Sequence, residues 1–351
     1  APKPARIPRA TKGPLVAPGD RSTYPAAQRL SFMSLGEFEL IERYFARPSR
    51  RAVLGNGDDC ALLAPAAGMV LATSTDMLVE GRHFLPTVPP ERLGHKALAV
   101  NLSDLAACGA QPLAFTLALA LPRADEEFLA GFSRGLFALA DAHDCELVGG
   151  DTTSGPLTIS ISVFGEVPPS AALLRSGAQA GDDVWVSGTL GDARLALEAF
   201  RGRVALDAAA FEAVRLAMEQ PQPRVMLGVA LRGVARSAID VSDGLHGDLS
   251  HLLRRSGVGA TIDVDALPAG AVLRAQPPEM QRLCTLTGGD DYELVFTAAP
   301  AQRDAIVAAG GHAGVAVTRI GRIDAEPGLR CTDRAGRAVA PAGASFDHFK
   351  P

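Results

Sequence analysis

The sequence contains no long apolar run and no excess of positive charge. Its longest apolar stretches, at residues 113–121 and 69–72, have the length of strands and are bounded or broken by polar residues, so we predict no membrane-spanning helix and no membrane partner. Basic residues number 34 against 39 acidic ones, and the formal net charge of −5 predicts no nucleic-acid partner. The five cysteines stand singly, without the spacing of a zinc site or a disulfide framework. We therefore expect a reducing compartment, the cytoplasm.

Common signatures of nucleotide-binding and nucleophilic enzymes are missing as well. The sequence has no Gly-x-x-x-x-Gly-Lys-Ser/Thr P-loop, no His-Arg-Asp motif of protein kinases and no Gly-x-Gly-x-x-Gly turn opening a helix after a strand. It also has no Gly-x-Ser-x-Gly elbow and no credible Cys/His pair. These absences exclude the common nucleotide-binding folds and indicate that no side-chain nucleophile acts in catalysis.

The composition, with 47% apolar and 21% charged residues, is that of a globular protein with one large core or two medium ones. Residues 1–32 differ, because they are rich in proline and basic residues and show no apolar periodicity. We predict a disordered or non-native N-terminal extension there. The turn-rich residues 167–183 predict a domain border near residue 168. We expect an N-terminal domain at 33–167 and a C-terminal domain at 168–351.

The spacing of apolar residues predicts helices and strands in both halves. A capping-box pattern at Ser34 to Glu37 opens the first helix. Further helices are predicted at residues 91–108, 126–143 and 245–255, with two or three more between 192 and 235. Strands are predicted at residues 69–75, 113–121, 146–148, 157–163, 184–187, 238–241, 260–264 and 292–296. Because strands and helices do not alternate strictly, we predict an α+β fold rather than a doubly wound one.

Short acidic motifs recur at the ends of predicted strands or beside glycine. They stand at residues 57–59, 74–76, 101–104, 149–151, 240–244 and 288–293. Any one of them is explained by a turn, since Gly, Asp, Asn and Ser dominate turns for local reasons. Together in one pocket, such carboxylates would raise one another's pKa. Hard divalent cations resolve that conflict, and oxygen ligands with few His or Cys favour Mg²⁺ that bridges to substrate phosphates.

Read in order, the motifs resemble the signature of the thiamine-monophosphate kinase family, within the AIR-synthetase-like superfamily. The resemblance rests on GDDCA at residues 57–61, STDMLVEGRHF at 74–84, KALAVNLSD at 96–104, GGDT at 149–152, RSGA at 175–178, IDVSDG at 239–244, GGDDYEL at 288–294 and FDHF at 346–349. Each motif alone is weak, but eight in the family's order and spacing make chance resemblance improbable.

The resemblance implies a two-domain AIR-synthetase-like fold. Its N-terminal domain pairs strand against strand into a dimeric β-barrel, and its C-terminal domain is an α/β sandwich, so a homodimer is implied. The implied reaction converts ATP and thiamine monophosphate to thiamine diphosphate and ADP, with several Mg²⁺ ions as cofactors and ATP as co-substrate. A phosphate monoester is largely dianionic at neutral pH, because its second pKa is about 6. Direct in-line transfer then needs no general base and no catalytic side chain.

The family's functional positions can be carried over residue by residue onto this sequence. Matches to Mg²⁺ ligands are Asp59, Ser74, Thr75, Asp76, Asp104, Asp151, Asp240 and Asp243. Matches to ATP contacts are Gly150, Asp151, Arg175 and Ser242. Matches to substrate contacts are His83, Asp290, where the family often has Glu, and Phe346, which takes the place of an aromatic residue missing near Gly343.

Two alternatives stay open on the sequence. One is another ATP-using member of the superfamily, such as AIR synthetase, selenophosphate synthetase or the hydrogenase-maturation dehydratase. Selenophosphate synthetase requires a reactive Cys or selenocysteine with a Lys in an N-terminal Gly-rich segment, and the maturation protein requires a C-terminal Cys; this sequence has neither feature. The other is a non-catalytic nucleotide- or metal-binding relative, which the complete set of acidic motifs disfavours.

Overall fold

The computed structural model describes residues 36–340 and Gly343, which build two β-sheets with helices packed against them. The extension predicted at residues 1–32, the cap predicted at Ser34 and the substrate contact predicted at Phe346 lie outside the described residues. The mixture of helices and strands around both sheets confirms the α+β prediction. Within the described part of the chain, no helix is both long and apolar enough to cross a membrane.

The first sheet has four strands, β1 (Val70–Val79), β2 (Gln111–Leu121), β3 (Glu146–Ser154) and β4 (Thr158–Val167). Their order across the sheet is β1-β4-β2-β3, so β1 and β3 are its edges. Strand β4 pairs antiparallel with β1 and β2, whereas β2 and β3 run parallel. Alternate side chains of β4, Ile159, Ile161 and Val163, enter the hydrophobic core on one face of the sheet.

Helices α1 (Glu37–Tyr44), α2 (Pro90–Ala107) and α3 (Glu126–Ala142) accompany the first sheet. Helix α2 packs against the sheet and against α3. From Leu93 to Ala106 every residue of α2 is buried except His95 and Asp104, which are partly buried. A helix buried on nearly all sides has no solvent face for its polar side chains. The lysine, asparagine, serine and aspartate of the KALAVNLSD segment therefore need partners within the protein.

The second sheet has six strands: β5 (Asp183–Ser187), β6 (Ser237–Asp240), β7 (Gly259–Asp263), β8 (Leu294–Ala298), β9 (Val317–Asp324) and β10 (Gly328–Thr332). Their order is β10-β7-β9-β5-β8-β6; β10 and β7 run parallel, and the other described pairs run antiparallel. The helices beside it are α4 (Asp192–Phe200), α5 (Ala208–Glu219), α6 (Val225–Ala230), α7 (Leu245–Ser256), α8 (Ala271–Arg274), α9 (Pro278–Thr287) and α10 (Arg303–Ala313). Helix α2 also packs against α5, α6 and β6, so one buried helix contacts both halves of the protein.

Several predicted boundaries are wrong. Strands β1 and β3 run on to Val79 and Ser154, so the two acidic motifs at residues 74–76 and 149–151 lie inside strands and not at strand ends. Strand β8 begins at Leu294 and not at residue 292, because Tyr292 has a left-handed backbone with φ 53°. Helix α1 begins after Gly36, whose amide donates to Glu39 Oε2 at 3.0 Å. The domain border near residue 168 stays a prediction; β4 ends at Val167.

Two glycines allow α2 and α3 to approach closely. A Cβ atom on Gly94 would lie 2.0 Å from the carbonyl oxygen of Phe132, and one on Gly135 would lie 1.8 Å from the carbonyl oxygen of Glu91. Both neighbours are backbone atoms, which cannot rotate away as a side chain can. Any larger residue must therefore separate the two helices and disturb the core between them.

We predict that Gly135→Ala lowers the free energy of unfolding by about 1–3 kcal/mol, the usual effect of overpacking. The matched control is Gly311→Ala in α10, where an added Cβ meets no atom within 4 Å; it should raise stability by about 0.5–1 kcal/mol through helix propensity. Chemical denaturation of both variants measures the two effects. Equal midpoints for Gly135→Ala and the unchanged protein would contradict the close helix contact.

Candidate functional site

A cavity of about 510 Å³ opens where the two halves meet. It is lined from the first half by β1 and α2, and from the second half by α4, α5 and the segments after β6 and before β8. Its lining includes four of the predicted metal ligands and three other predicted contacts: Asp76, Asp104, Asp240, Asp243, Ser242, His83 and Asp290. Motifs that are far apart in the sequence therefore meet at one place.

Serine and asparagine side chains of α2 and β1 hydrogen-bond to the acidic residues of this cavity. Ser74 donates its hydroxyl to Asp104 Oδ2 at 2.5 Å, and Ser103 donates to Asp240 Oδ2 at 2.8 Å. The backbone amide of Asp76 donates to Asn101 Oδ1 at 3.1 Å. Ser74 thus contacts the predicted ligand Asp104 from inside β1, and its own role as a ligand stays a prediction.

The carboxylates raise one another's pKa. Burial, followed by the charges of Asp104 and Asp243, raises the pKa of Asp76 to about 6. Burial, and then Asp104, raises the pKa of the Asp240 carboxyl to about 7. Burial also raises the pKa of Asp104, while the Ser74 hydroxyl and then the charge of Arg175 act in the opposite direction. The charge of Arg175 therefore acts on the acidic group, and its contact with a phosphate stays a prediction.

Asp248 belongs to the same acidic group, although the sequence did not single it out. Its Oδ2 accepts the amides of Asp243 and Gly244, each at 3.0 Å. Burial, then the charges of Asp240 and Asp243, raises its pKa to about 8. Asp248 lies in the first turn of α7, and its carboxylate accepts backbone amides of the loop that precedes the helix. An aspartate in the first turn after a Ser-Asp-Gly loop is a local sequence pattern that could have predicted this contact.

The donor set suits a hard cation chemically. Within the described residues, no three His, Cys, Asp or Glu side chains form a closed metal-holding group. Asp76, Asp104, Asp240 and Asp243 nevertheless line one cavity. Besides burial, the charges of neighbouring carboxylates in this group raise the pKa of Asp76 and of Asp240. A divalent cation would relieve that repulsion, and carboxylate and hydroxyl oxygens are the ligands that Mg²⁺ accepts.

The remaining wall of the cavity combines apolar and polar side chains. Ala193, Leu197 and Met218 line it together with His83, whose Nδ1 accepts the amide of Val79 at 3.0 Å. Asp290 stands in a left-handed backbone, φ 75°, and its amide donates to the carbonyl of Ser242 at 2.8 Å. A non-glycine residue in that region costs about 1–2 kcal/mol, so the surrounding contacts must hold Asp290 in place.

Three predicted residues lie in a second cavity of about 850 Å³, on another part of the first sheet: Asp59, Gly150 and Asp151. Gly150 has φ 152°, and a Cβ there would lie 1.9 Å from the carbonyl oxygen of Leu117, so only glycine fits. Thr75 does not line the first cavity; its hydroxyl hydrogen-bonds to that of Ser162 at 2.7 Å. A single chain therefore does not bring the predicted ligand set together, and the roles of these residues stay predictions.

The raised pKa values predict that three carboxyls of the acidic group destabilise the metal-free protein as the pH rises. Asp76, Asp240 and Asp248 titrate near 6, 7 and 8 in the folded chain, above the ordinary value of 3.8. Between about pH 4 and pH 8 these three carboxyls therefore hold more protons in the folded chain than in the unfolded chain. Stabilisation that is complete below about pH 4 is lost as the pH rises through these folded-state values. We expect these three carboxyls to lower the melting temperature, measured in EDTA, as the pH rises across this window.

Asp240→Asn should make that fall smaller, since the variant has no carboxyl to titrate at this position. Asp304→Asn on the exposed surface of α10 is the matched control and should follow the unchanged protein. If Asp240→Asn and the unchanged protein lose stability in parallel from pH 4 to pH 8, the acidic group is not the cause.

The two halves of the chain match two family models. Residues 57–167 match "AIR synthase related protein, N-terminal domain", and residues 179–334 match "AIR synthase related protein, C-terminal domain". These matches fall on the two sheets, and they confirm the two-domain α+β fold that the motif resemblance implied.

Individual relatives are similar to this chain in sequence or structure over most of its length. Thiamine-monophosphate kinase of Escherichia coli (strain K12) is 47% identical over 322 residues, covering 90% of this chain and 99% of that protein. The crystal structure of thiamine-monophosphate kinase from Stenotrophomonas maltophilia K279a is 48% identical with a TM-score of 0.80, covering 88% of this chain and 99% of that one. The solved structure of AaThiL complexed with AMPPCP and TMP is 31% identical with a TM-score of 0.71, covering 82% and 89%. From its motifs, its fold and these relatives, the chain belongs to the thiamine-monophosphate kinase family.

Proposed function

We propose that the protein transfers the γ-phosphoryl group of ATP to thiamine monophosphate, giving thiamine diphosphate and ADP. The observation that carries the proposal is the cavity in which Asp76, Asp104 and Asp240, from three separate family motifs, meet. Relatives that are 47% identical carry the name of this activity. A structural relative, AaThiL, was solved with AMPPCP and TMP together, which supports one site for a nucleotide and a phosphorylated acceptor.

We propose Mg²⁺ as the cofactor of the first cavity. Asp76, Asp104, Asp240 and Asp243 would hold it, with the Ser74 hydroxyl beside Asp104. Bound Mg²⁺ supplies positive charge that screens the repulsion between two anionic substrates. Arg175, whose charge acts on Asp104 and Asp240, adds a planar donor set for a phosphate.

The transfer needs no side-chain nucleophile. An oxygen of the dianionic acceptor phosphate forms the new bond to the γ-phosphorus while the bond from that phosphorus to the ADP oxygen breaks. No proton has to leave the attacking oxygen, because the acceptor is already ionised at neutral pH. The cavity lining contains no cysteine, and His83 already uses Nδ1 to accept a backbone amide. The role of the protein is to position two phosphates in line and to neutralise them.

The opposite wall is proposed to bind the organic part of the acceptor. His83 and Asp290 lie there beside the apolar side chains of Leu197 and Met218, a combination that fits nitrogen-bearing rings. Phe346 stays a prediction, since it lies outside the described residues. The cytoplasmic location also stays a prediction.

A coupled ADP-release assay tests the activity. With ATP and Mg²⁺ we expect turnover with thiamine monophosphate, none with free thiamine or without acceptor, and loss of turnover when EDTA removes the metal. Chromatography of the product should show thiamine diphosphate. If folded protein binds ATP but releases no ADP with thiamine monophosphate, the proposal is wrong. Another ATP-using activity of the superfamily, with a different acceptor, would then replace it.

We also propose a homodimer in which the second copy completes each site. Among the described residues, strands β1 and β3 form the two edges of the four-stranded sheet. On the face of β1 that turns away from α2, Leu71 and Met77 remain 46% and 56% exposed, and Thr75 lies between them. Pairing of β1 with β3 of a second copy would cover these side chains and close a barrel. It would also bring Asp151 of β3 next to Thr75 and Asp76 of β1, which the single chain keeps apart.

Mixed dimers test this arrangement. Asp76→Asn and Asp151→Asn should each inactivate the homodimer. A heterodimer of the two variants, isolated through two different affinity tags, carries both changes in one site and none in the other, so it should recover about half of the wild-type activity.

The matched control is the heterodimer of Asp76→Asn with Asp104→Asn. These two residues line the same cavity of one chain, so each site keeps one lesion and no activity should return. An inactive Asp76→Asn/Asp151→Asn heterodimer would mean that Asp151 does not act across the dimer.

A further inference from the structure

Lys96 is a lysine in the protein interior, and no step of the proposed reaction has used it. It stands in the middle of α2 and is only 2% exposed. Lysine is almost never fully buried without a compensating partner, because its charge loses the solvation of water. The partners of Lys96 therefore indicate what the residue is for.

Both described partners of Lys96 belong to walls of the first cavity in the other half of the chain. Its Nζ forms an ion pair with Asp290 Oδ2. It also donates to the carbonyl oxygen of Met218 at 2.9 Å. Met218 lies in the last turn of α5, where carbonyl groups lack partners within the helix. One side chain thus ties α2 to two elements that line the acceptor wall.

Asp290 needs such a tie. Its backbone is held in the left-handed region, and 31% of its side chain remains exposed. The Tyr292 side chain lies close to the same carboxylate. A short carboxylate on a strained loop has no helix or strand of its own to fix its direction. The ion pair with Lys96, on the buried helix α2, fixes the direction of the Asp290 carboxylate.

We propose that Lys96 is a positioning residue for the acceptor: it holds the Asp290 carboxylate at the cavity wall, so that Asp290 meets the nitrogen-bearing rings of the acceptor. The inference rests on the proposed function. It explains how an aspartate serves where the family often has the longer glutamate, because the buried lysine fixes the position of the shorter carboxylate. The lysine itself touches no substrate and acts through Asp290.

A purely structural role predicts different behaviour. Arg92 lies one turn before Lys96 on α2 and also bridges to the other half, through an ion pair with Glu219 at 3.0 Å. It does not line the cavity. Arg92→Met therefore removes a comparable link between the halves without touching the acceptor wall, and it serves as the matched control.

The experiment compares steady-state kinetics of Lys96→Met, Arg92→Met and Asp290→Asn with both substrates varied. We expect Lys96→Met to raise KM for thiamine monophosphate by about tenfold to a hundredfold, the range of one lost hydrogen bond to a charged group. KM for ATP should stay within about twofold, and kcat should change less than the acceptor KM. Arg92→Met should lower the melting temperature and leave the acceptor KM unchanged.

The double variant Lys96→Met/Asp290→Asn tests the inference even if Lys96→Met alone does not fold. The double variant removes both charges of the ion pair and therefore leaves neither one unpaired. Because Lys96 acts through Asp290, the double variant should have the acceptor KM of Asp290→Asn alone. A further rise of threefold or more overturns the inference, and so does an unchanged acceptor KM in folded Lys96→Met. Wild-type protein that does not turn over thiamine monophosphate overturns the proposed function, and this inference with it.

Discussion

The burial of α2 on nearly all sides is the constraint on which the rest of the structure depends. A buried helix cannot turn a polar face to water, so each of its polar side chains must find a partner in the protein. Lys96 and Ser103 find theirs in the second half, at Asp290 and Asp240. Asn101 and Asp104 find theirs on β1. The bonds that satisfy the helix are therefore the bonds that assemble the cavity.

Buried carboxylates are treated differently inside and outside the cavity. Two buried glutamates away from the cavity are neutralised within the fold: Glu198 meets three arginines at 2.8–3.0 Å, and Glu293 pairs with Arg224. In the cavity, Asp76 and Asp240 lie near like charges, which together with burial raise their pKa. Repulsion of this kind lowers stability and is typical of sites where function requires it. The contrast distinguishes Glu198 and Glu293, which stabilise the fold, from Asp76 and Asp240, which serve the proposed chemistry.

The length of β1 and the backbone conformation before β8 both differ from what local sequence rules predict. The sequence predicted that the first strand ends at residue 75, among the polar residues Ser74 and Asp76. In the structure β1 continues to Val79, because an edge strand tolerates polar side chains on both faces. Tyr292 has the aromatic character of a strand residue, yet its amide donates to the carbonyl of Val241 at 2.9 Å from a left-handed backbone. The left-handed backbone at Asp290 and Tyr292 keeps this segment out of β8 and places Asp290 at the cavity wall.

The sequence by itself determined the α+β class, the two-domain family fold, most of the major helices and strands, and the motifs that identify the family. These depend on local periodicity and on the order of motifs along the chain, which are visible without a structure. Only the tertiary structure decided which acidic residues meet. It joins Asp76 with Asp240, adds Asp248, keeps Asp59 and Asp151 apart from them within one chain, and pairs Lys96 with a carboxylate 194 residues away. The physical reason is that such contacts depend on how two sheets pack around one buried helix, and no local pattern of residues encodes that packing.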